Sequence, residues 1–388
     1  MNSTFVVLNT IGVIFLALGL HPFITYPLSL LFLPGLRRDK AVPPREGAAG
    51  LRYAICVCAY NEEEGIVAKV ENLLELKKSV ADCQILVYID GKTDRTYERL
   101  QPYRDAITII QGEPRRGKSY GMNRLVERTD ADVVVFTDAN VVMDAAALTY
   151  LGPWFADPSV GCVCGNLVYV NGDDTAMSKS GSLYWRLEER IKQLESDTFS
   201  VVGADGSIFA IRRALHEQVP DDIIDDFYLS MRILIRGYRV VREAKALAYE
   251  RTATKTQEEF RRKVRIACQA FNVHRIIWAD IKRHSMLTYC YVSHRLLRWF
   301  GVVNLGAAAL FFLASVFAIL PAFYVLAGLL LLCAVFAALV VARVRIAELV
   351  LAIVVAFAGT GWGVWRSIRG DRFQTWTPTS TARGIGPK

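Results

Sequence analysis

Residues 133–144 read VVVFTDANVVMD. Four apolar residues and Thr137 lead directly to Asp138, and Asn140 follows two places later. A short apolar run rich in β-branched residues predicts a buried strand. In open α/β sheets, ligands bind beyond the carboxyl ends of the strands. A strand that delivers a carboxylate to that edge therefore predicts a ligand site, with capping of the next turn or helix as the alternative.

The surrounding sequence predicts an α/β domain with a mostly parallel sheet. Short apolar runs alternate with amphipathic stretches, which is the pattern of strands joined by right-handed helical crossovers. The predicted strands span 53–60, 84–90, 107–112, 133–139 and 160–170, and the predicted helices span 63–78, 117–128 and 144–155. The second strand also ends on an aspartate, Asp90. Two carboxylates are therefore expected at one edge of the sheet.

Phosphate-binding signatures narrow the class of ligand. The turn after the first predicted strand reads CAYNEEEG, which lacks the G-x-G-x-x-G of dinucleotide-binding folds, and the chain has no P-loop motif. The stretch RRGKSYGMN (115–123) gathers Arg115, Arg116 and Lys118 around Gly117. Such residues at a predicted helix start favour an anion. A solvated basic turn is the alternative.

Apolar residues are concentrated at the two ends of the 388-residue chain. Phe5 to Leu33 has no basic residue before its apolar run and no small-residue cleavage site, so it predicts a retained anchor kinked at Pro22 and Pro27. Residues 301–320 and 322–342 are charge-free and of spanning length, whereas 346–365 carries Glu348. The expected domains are a transmembrane anchor (1–36), a catalytic domain (50–250), basic amphipathic or interfacial helices (251–299), two or three transmembrane helices (300–366) and a basic tail (367–388).

The distribution of basic residues indicates the orientation of the protein in the membrane and the class of partner. Arg37, Arg38 and Lys40 follow the anchor, so the positive-inside rule places the catalytic domain of a multi-pass cell-membrane protein in the cytoplasm. With three C-terminal spans, the basic tail would lie outside, against that rule. The net charge of +8 comes largely from clusters next to membrane segments. Anionic membrane lipid explains them, and no nucleic-acid partner is expected.

The motifs between residues 58 and 266 resemble, in order, those of glycosyltransferase family 2, which comprises inverting enzymes with the GT-A fold. The matching pieces are CAYNEEEGI (58–66), VYIDGKTDRT (87–96), GKSYGMN (117–123), FTDAN (136–140), GADGSIFAIRRAL (203–215), DDFYLSMRILIRGYRVV (225–241) and RRKVRI (261–266). The flanking spans resemble those of bacterial polysaccharide and glycolipid synthases. The resemblance implies an α/β GT-A domain flanked by transmembrane helices.

The resemblance also implies the roles of individual residues. The implied nucleotide-sugar site comprises Ala59, Tyr60, Glu62, Asp90, Lys118, Asp138, Arg262 and Arg265. Asp138 matches the first acidic residue of the family's D-x-D motif and would hold Mg²⁺ or Mn²⁺ on the diphosphate, and Asn140 replaces the second. An amide oxygen still ligates a hard cation but brings no charge, so Asn140 is expected to be the weaker helper.

The general base implied by the resemblance is Asp226, the last residue of a T-E-D motif that reads Ile224-Asp225-Asp226 here. Asp225 and Asp205 are candidates for the acceptor side. A solvated acidic loop is the alternative for Asp225 and Asp226. An interfacial position is expected for His294, within the aromatic and basic stretch 289–300.

The stretch Arg262-x-x-Arg265-Ile266 stands where processive members of the family carry Q-x-x-R-W. The second arginine is retained to clamp diphosphate, while the Gln and the Trp are absent. That Trp belongs to the acceptor end of a growing polymer, so its absence argues against processive synthesis. An amphipathic helix on anionic lipid is a compatible alternative.

These expectations define a metal-dependent inverting hexosyltransferase. It would move a sugar from a nucleotide-diphosphate donor, UDP-linked rather than GDP-linked, to a lipid-linked saccharide or glycan at the membrane. The alternatives are a processive polysaccharide synthase, a polyprenyl-phosphate glycosyltransferase, and an inactive scaffold that binds nucleotide-sugar. The expected partners are the donor, the acceptor, membrane lipids and other envelope-biosynthesis proteins.

Overall fold

The computed structural model describes residues 3–32, 50–170, 176–251 and 255–375, and for 176–183 it describes the backbone only. Within these residues, one eight-stranded sheet has the order β3-β2-β1-β4-β7-β6-β8-β5. The strands are β1 Arg52–Ala59, β2 Asp82–Asp90, β3 Thr108–Gly112, β4 Val133–Asp138, β5 Val142–Met143, β6 Val160–Tyr169, β7 Phe209–Arg212 and β8 Arg239–Glu250. All five predicted strands are confirmed, whereas β5, β7 and β8 were not predicted.

The sheet is mixed. Strands β3, β2, β1 and β4 run parallel to one another, as predicted. Strand β7 is antiparallel to both of its neighbours, and β5 is antiparallel to β8. Parallel pairing therefore predominates in the first half of the sheet, which brings the ends of β2 and β4 to the same edge.

Helices cover both faces of the sheet and extend beyond it at both ends. They are α1 Ser3–Leu20, α2 Thr25–Leu31, α3 Ile66–Lys77, α4 Thr96–Leu100, α5 Lys118–Val126, α6 Ala147–Leu151, α7 Ala176–Thr198, α8 Asp225–Ile235, α9 Thr256–Ile281, α10 Ser285–Tyr291, α11 Leu297–Trp299, α12 Gly301–Phe317, α13 Ala322–Val341 and α14 Arg345–Ile368. Alternate residues of β1 face two separate apolar cores, with Ala54 and Cys56 in one and Ile55 and Val57 in the other. This alternation is what a strand buried on both faces requires.

The described part of the chain contains three helices that are long and apolar enough to cross a membrane, namely α1, α13 and α14. A fourth span is possible if α10–α11 and α12, which are bent by 66° relative to each other, act as one. The predicted break in the N-terminal anchor falls at Pro22, between α1 and α2. Pro27 lies in the first turn of α2, where a proline is tolerated, and the second predicted kink stays a prediction.

Helix α14 packs closely on the amphipathic helix α9. A Cβ at Gly363 would lie 2.4 Å from the carbonyl oxygen of Val264, and one at Gly359 would lie 3.2 Å from Cβ of Lys263. Glycine is therefore required where the two backbones approach. This contact fixes the helix that carries Arg262 and Arg265 against the last apolar helix.

His294, within the stretch 289–300, does not lie at the protein surface as an interfacial residue would, contrary to the sequence-based expectation. His294 is fully buried, with Nδ1 2.7 Å from Oε1 of Glu195 and Nε2 3.2 Å from Oε2 of Glu188. Tyr26 of α2 donates its hydroxyl to the same Glu195 over 2.6 Å. Aromatic and basic residues beside a span are typical of anchors, but here they form a buried polar network. This network joins α2, α7 and the α10–α11 segment.

Candidate active site

A cavity of about 1460 Å³ opens at the carboxyl ends of β1 and β4. It is lined by polar side chains of the α/β domain and by apolar residues of α1, α12 and α14. The predicted residues that line it are Glu62, Lys118, Asp138, Asn140, Asp205, Asp225, Asp226, Arg262 and Arg265. The fold therefore brings nine residues from distant parts of the sequence to one cavity.

Lys118 joins the acidic residues at the centre of the site. Its ammonium nitrogen lies 2.7 Å from Oδ1 of Asp138 and 3.5 Å from Oδ1 of Asp225. Lys118 begins α5, Asp138 ends β4, and Asp225 and Asp226 begin α8. The surrounding carboxylates outweigh burial and raise the pKa of Lys118, so it remains a cation. The site thus holds a fixed positive charge among carboxylates.

Asp226 has the properties of a general base. Burial first, and then the charge of Asp225, raise its pKa to about 7, against the opposing effect of Lys118. The backbone N–H of Phe227 donates to its Oδ1 over 2.6 Å. Asp226 is only 7% exposed and Asp225 only 2%. The two residues are therefore not a solvated acidic loop, and a carboxylate that titrates near neutrality suits proton abstraction at physiological pH.

The backbone of Gly206 approaches this cluster closely. A Cβ at this position would lie 2.9 Å from Nζ of Lys118, 3.1 Å from Oδ2 of Asp226 and 3.6 Å from Oδ2 of Asp138. The neighbouring Asp205 accepts a hydrogen bond from buried Lys192 over 2.8 Å. The GADGS stretch therefore forms one wall of the cavity at the charged groups.

Among the residues that the structure describes, those lining the cavity do not include Asp90, Ala59 or Tyr60. Asp90 is fully buried and accepts the backbone N–H groups of Arg116, over 2.8 Å, and Gly117, over 3.0 Å. Nε of Arg115 lies 3.3 Å from the same carboxylate, and its guanidinium stacks on the ring of Tyr60. Asp90 therefore holds the basic loop that begins α5, and its predicted contact with the nucleotide stays a prediction.

The oxygen donors at the end of β4 fit a hard divalent cation. Asp138 already contacts a cationic group, and Asn140 donates its Nδ2 to Oε1 of Glu250 over 3.0 Å. Asn140 can therefore offer only its carbonyl oxygen as a ligand. Among the described residues, no three His, Cys, Asp or Glu side chains are grouped as a metal site. Diphosphate oxygens and water would have to complete the coordination of Mg²⁺ or Mn²⁺.

The two predicted arginines of α9 have different surroundings. Arg262 pairs with Glu259 over 3.4 Å and also interacts with Glu250 and Tyr169. Arg265 donates to Gln269 over 3.3 Å. Burial and the charge of Arg262 lower the pKa of Arg265 to about 10, while Asp138, Asp226 and Asp225 act in the opposite direction. Arg265 is thus a half-buried cation facing the acidic cluster, and its predicted contact with a diphosphate stays a prediction.

The first residues of the predicted basic tail also contribute to the cavity, which the sequence analysis missed. Phe373 and Gln374 line it. The carbonyl oxygen of Phe373 accepts from Gln269 over 2.7 Å, and Gln374 donates to the carbonyl of Arg116 over 3.2 Å. This end of α14 therefore lies beside the α/β domain, where the positive-inside rule would place a basic segment if that domain is cytoplasmic.

Comparison with known proteins also indicates similarity to glycosyltransferases. Residues 54–219 match the model of the glycosyl transferase family 2. The chain is 25% identical over 201 residues to the poly-beta-1,6-N-acetyl-D-glucosamine synthase of Staphylococcus aureus (strain COL), covering 50% of this chain and 48% of that protein. It is 22% identical over 242 residues to the Staphylococcus epidermidis synthase of the same name, with 60% and 58% covered. These matches span about half the length of the curated relatives.

A solved structure extends the similarity to nearly the whole chain. The mannosyltransferase PcManGT from Pyrobaculum calidifontis, solved in complex with GDP-Man and Mn²⁺, is similar with a TM-score of 0.67 at 22% identity. The similarity covers 93% of this chain and 99% of that one. The protein therefore has the GT-A glycosyltransferase fold with apolar helices at both ends. The stretch that matches the family 2 model lies within its α/β domain.

Proposed function

We propose that the protein is an inverting glycosyltransferase that moves a sugar from a UDP-sugar to a lipid-linked saccharide at the membrane. One observation carries the proposal. Asp226, a buried carboxylate whose pKa is raised to about 7, stands beside Lys118 and Asp138 in a cavity that continues to the apolar helices. This arrangement supplies a base, a diphosphate-binding group and a route for an apolar acceptor.

The donor would lie at the end of β4. Lys118 and Arg265 place positive charge where a diphosphate would leave, and electrostatic stabilisation of developing charge is a large part of catalysis. Asp138 and Asn140 would hold Mg²⁺ or Mn²⁺, which when bound neutralises charge on the departing diphosphate. Glu62 lines the same cavity, on the side of the first strand.

The acceptor hydroxyl would approach Asp226. The carboxylate accepts its proton as the oxygen attacks the anomeric carbon opposite the leaving diphosphate, which inverts the configuration. A positioned base contributes about 10²–10⁴-fold in rate. Asp225 and Asp205 line the same part of the cavity and are proposed to bind acceptor hydroxyls.

The apolar part of the cavity favours an acceptor that carries a lipid. Gly19 and Leu20 of α1 and Phe23 of the following turn line it together with Leu305 of α12 and Phe357 of α14. An apolar wall suits an acceptor that carries a lipid, because burial of apolar surface is favourable. We therefore place the protein in the cell membrane, with several spans and a cytoplasmic catalytic domain.

A processive polysaccharide synthase is the second candidate, favoured by the name of the staphylococcal relatives. Ile266 lines the cavity where processive members carry Trp, and this difference favours single transfer. A polyprenyl-phosphate glycosyltransferase would use the same base and donor groups, with a lipid phosphate as the nucleophile.

The test uses the full chain, purified in detergent and supplied with native lipid extract. UDP-N-acetylglucosamine, UDP-glucose, UDP-galactose and GDP-mannose are incubated in turn with Mn²⁺ or Mg²⁺. Release of nucleoside diphosphate is measured, and the products are analysed by mass spectrometry. We expect release from a UDP-sugar and one added hexose unit on a lipid-linked product. A ladder of products identifies the processive synthase, and no release from any donor identifies the scaffold.

A further inference from the structure

The carboxylate of Glu250 lies against the residue that replaces the second acid of the D-x-D motif. Strand β8 ends at Glu250, and its penultimate residue Tyr249 pairs with Val142 of the antiparallel strand β5. Because β5 begins two residues after Asn140, this pairing brings together two side chains that are 110 positions apart. Nδ2 of Asn140 donates to Oε1 of Glu250 over 3.0 Å.

Glu250 and Asp138 line one cavity. Asn140 contacts Glu250 through its nitrogen, so its carbonyl oxygen remains available to a cation in the same cavity. All three groups offer the hard oxygen donors that Mg²⁺ and Mn²⁺ prefer. A second observation also points to a missing ligand: Oδ2 of Asp225, which lines this cavity and is 2% exposed, has no hydrogen-bond partner. Buried carboxylate oxygens without a donor are rare unless a cation or a hydroxyl completes them.

We propose that Glu250 supplies the second carboxylate of the divalent-cation site, next to Asp138 and the amide oxygen of Asn140. The inference rests on the proposed function, since it concerns the cation that the donor diphosphate would bring. Strand β8 would thereby supply the negative charge that the segment 138–140 lacks in comparison with a D-x-D motif. The competing structural role of Glu250 is to pair with Arg262 and orient Asn140 without contacting the cation.

The experiment measures Mn²⁺ binding directly, without turnover. The full chain is titrated with Mn²⁺ in the presence of UDP, and free Mn²⁺ is followed by electron paramagnetic resonance. Glu250→Gln is expected to weaken Mn²⁺ binding by more than about 100-fold, beyond the roughly 10–100-fold loss typical of groups that only orient a metal ligand. The double variant Asn140→Asp/Glu250→Gln moves the carboxylate from residue 250 to residue 140. It is expected to recover the wild-type Mn²⁺ affinity to within about threefold.

Glu259→Gln is the matched control, because Glu259 is the other carboxylate beside Arg262. It is expected to leave Mn²⁺ affinity unchanged. Wild-type affinity in Glu250→Gln overturns the inference, and so does an equal loss in Glu259→Gln. A double variant that binds Mn²⁺ no better than Glu250→Gln also overturns it. Melting temperatures verify that each variant is folded.

Failure of this inference is distinguishable from failure of the proposed function. A wild-type chain that transfers sugar but binds no Mn²⁺ overturns the role of Glu250 and leaves glycosyl transfer intact. A chain that releases no nucleoside diphosphate but binds Mn²⁺ through Glu250 overturns the transfer reaction alone.

Discussion

Protonation of Asp226 is expected to control the rate below neutral pH. Burial and the neighbouring charge of Asp225 raise its pKa from 3.8 to about 7. Since one pKa unit corresponds to about 1.4 kcal/mol, the site favours the neutral acid by roughly 4 kcal/mol relative to water. A base must be ionised to accept a proton. Half of the molecules are therefore competent at a pH of about 7, and about one in ten are competent one unit lower.

The measurement is kcat/KM for the donor across the range from acid to alkaline pH, because this quantity reports the pKa values of the free enzyme. Low, fixed Mn²⁺ is used, since a cation near Asp138 would itself favour the Asp226 carboxylate. The acid limb should have its midpoint near neutrality. Asp226→Asn should lose about 10²–10⁴-fold in turnover at the optimum.

The variant Asp225→Asn tests whether the charge of Asp225 raises the pKa of Asp226. The charge of Asp225 is the second contribution that raises the pKa of Asp226, so its removal should move the acid limb to lower pH. A wild-type profile that is flat on the acid side refutes the assignment of Asp226 as the base. A midpoint that does not move in Asp225→Asn refutes the electrostatic account.

Three further outcomes are expected. Asp138→Ala should weaken Mn²⁺-dependent donor binding in calorimetry, whereas Asp226→Asn should retain it, and equal affinity of Asp138→Ala and wild type would remove the metal role of Asp138. Gly206→Ala should lower turnover about 10- to 100-fold, because its Cβ would meet Lys118 at 2.9 Å and displace a catalytic charge. Gly328→Ala, where a Cβ meets no atom within 4 Å, is its control, and similar rates in both would contradict the reasoning. Burial lowers the pKa of Lys69, which donates to Thr137 and the carbonyl of Val141, to about 7. The unfolded chain therefore binds more protons above that pH, so stability should rise between about pH 7 and 10. Lys69→Met should lose this rise in melting temperature, and Lys77→Met on the same helix should keep it.

The parts of the site that follow from local sequence could be predicted. Asp138 ends an apolar strand, Lys118 begins a helix after a glycine, and Asp226 begins a helix within a motif. In parallel strands, the direction of the chain fixes the edge of the sheet at which each strand ends. The convergence of side chains that follow these strands is therefore also predictable. The burial of Asp226, which raises the pKa of this candidate base, required the structure.

The parts that depend on distant pairing could not be predicted. Glu250 belongs to no recognisable motif, and its contact with Asn140 depends on the antiparallel pairing of β5 with β8. The role of Asp90 was also hidden, because nothing in the sequence shows that the loop of Arg116 and Gly117 folds back over its carboxylate. Gln374 falls in the predicted tail, and its contact with Arg116 could not be predicted because the two residues are 258 positions apart.

The buried contact between Tyr26 and Glu195 has a practical consequence for anyone who wishes to isolate the catalytic domain. A shortened protein that begins at residue 50 would lack Tyr26, which is fully buried in the native chain. Glu195 would lose its hydroxyl donor, and the apolar surface left by α2 would face water. The N-terminal helices therefore contribute to the packing of the α/β domain, and solubilisation of the intact chain is the sounder route to a folded preparation.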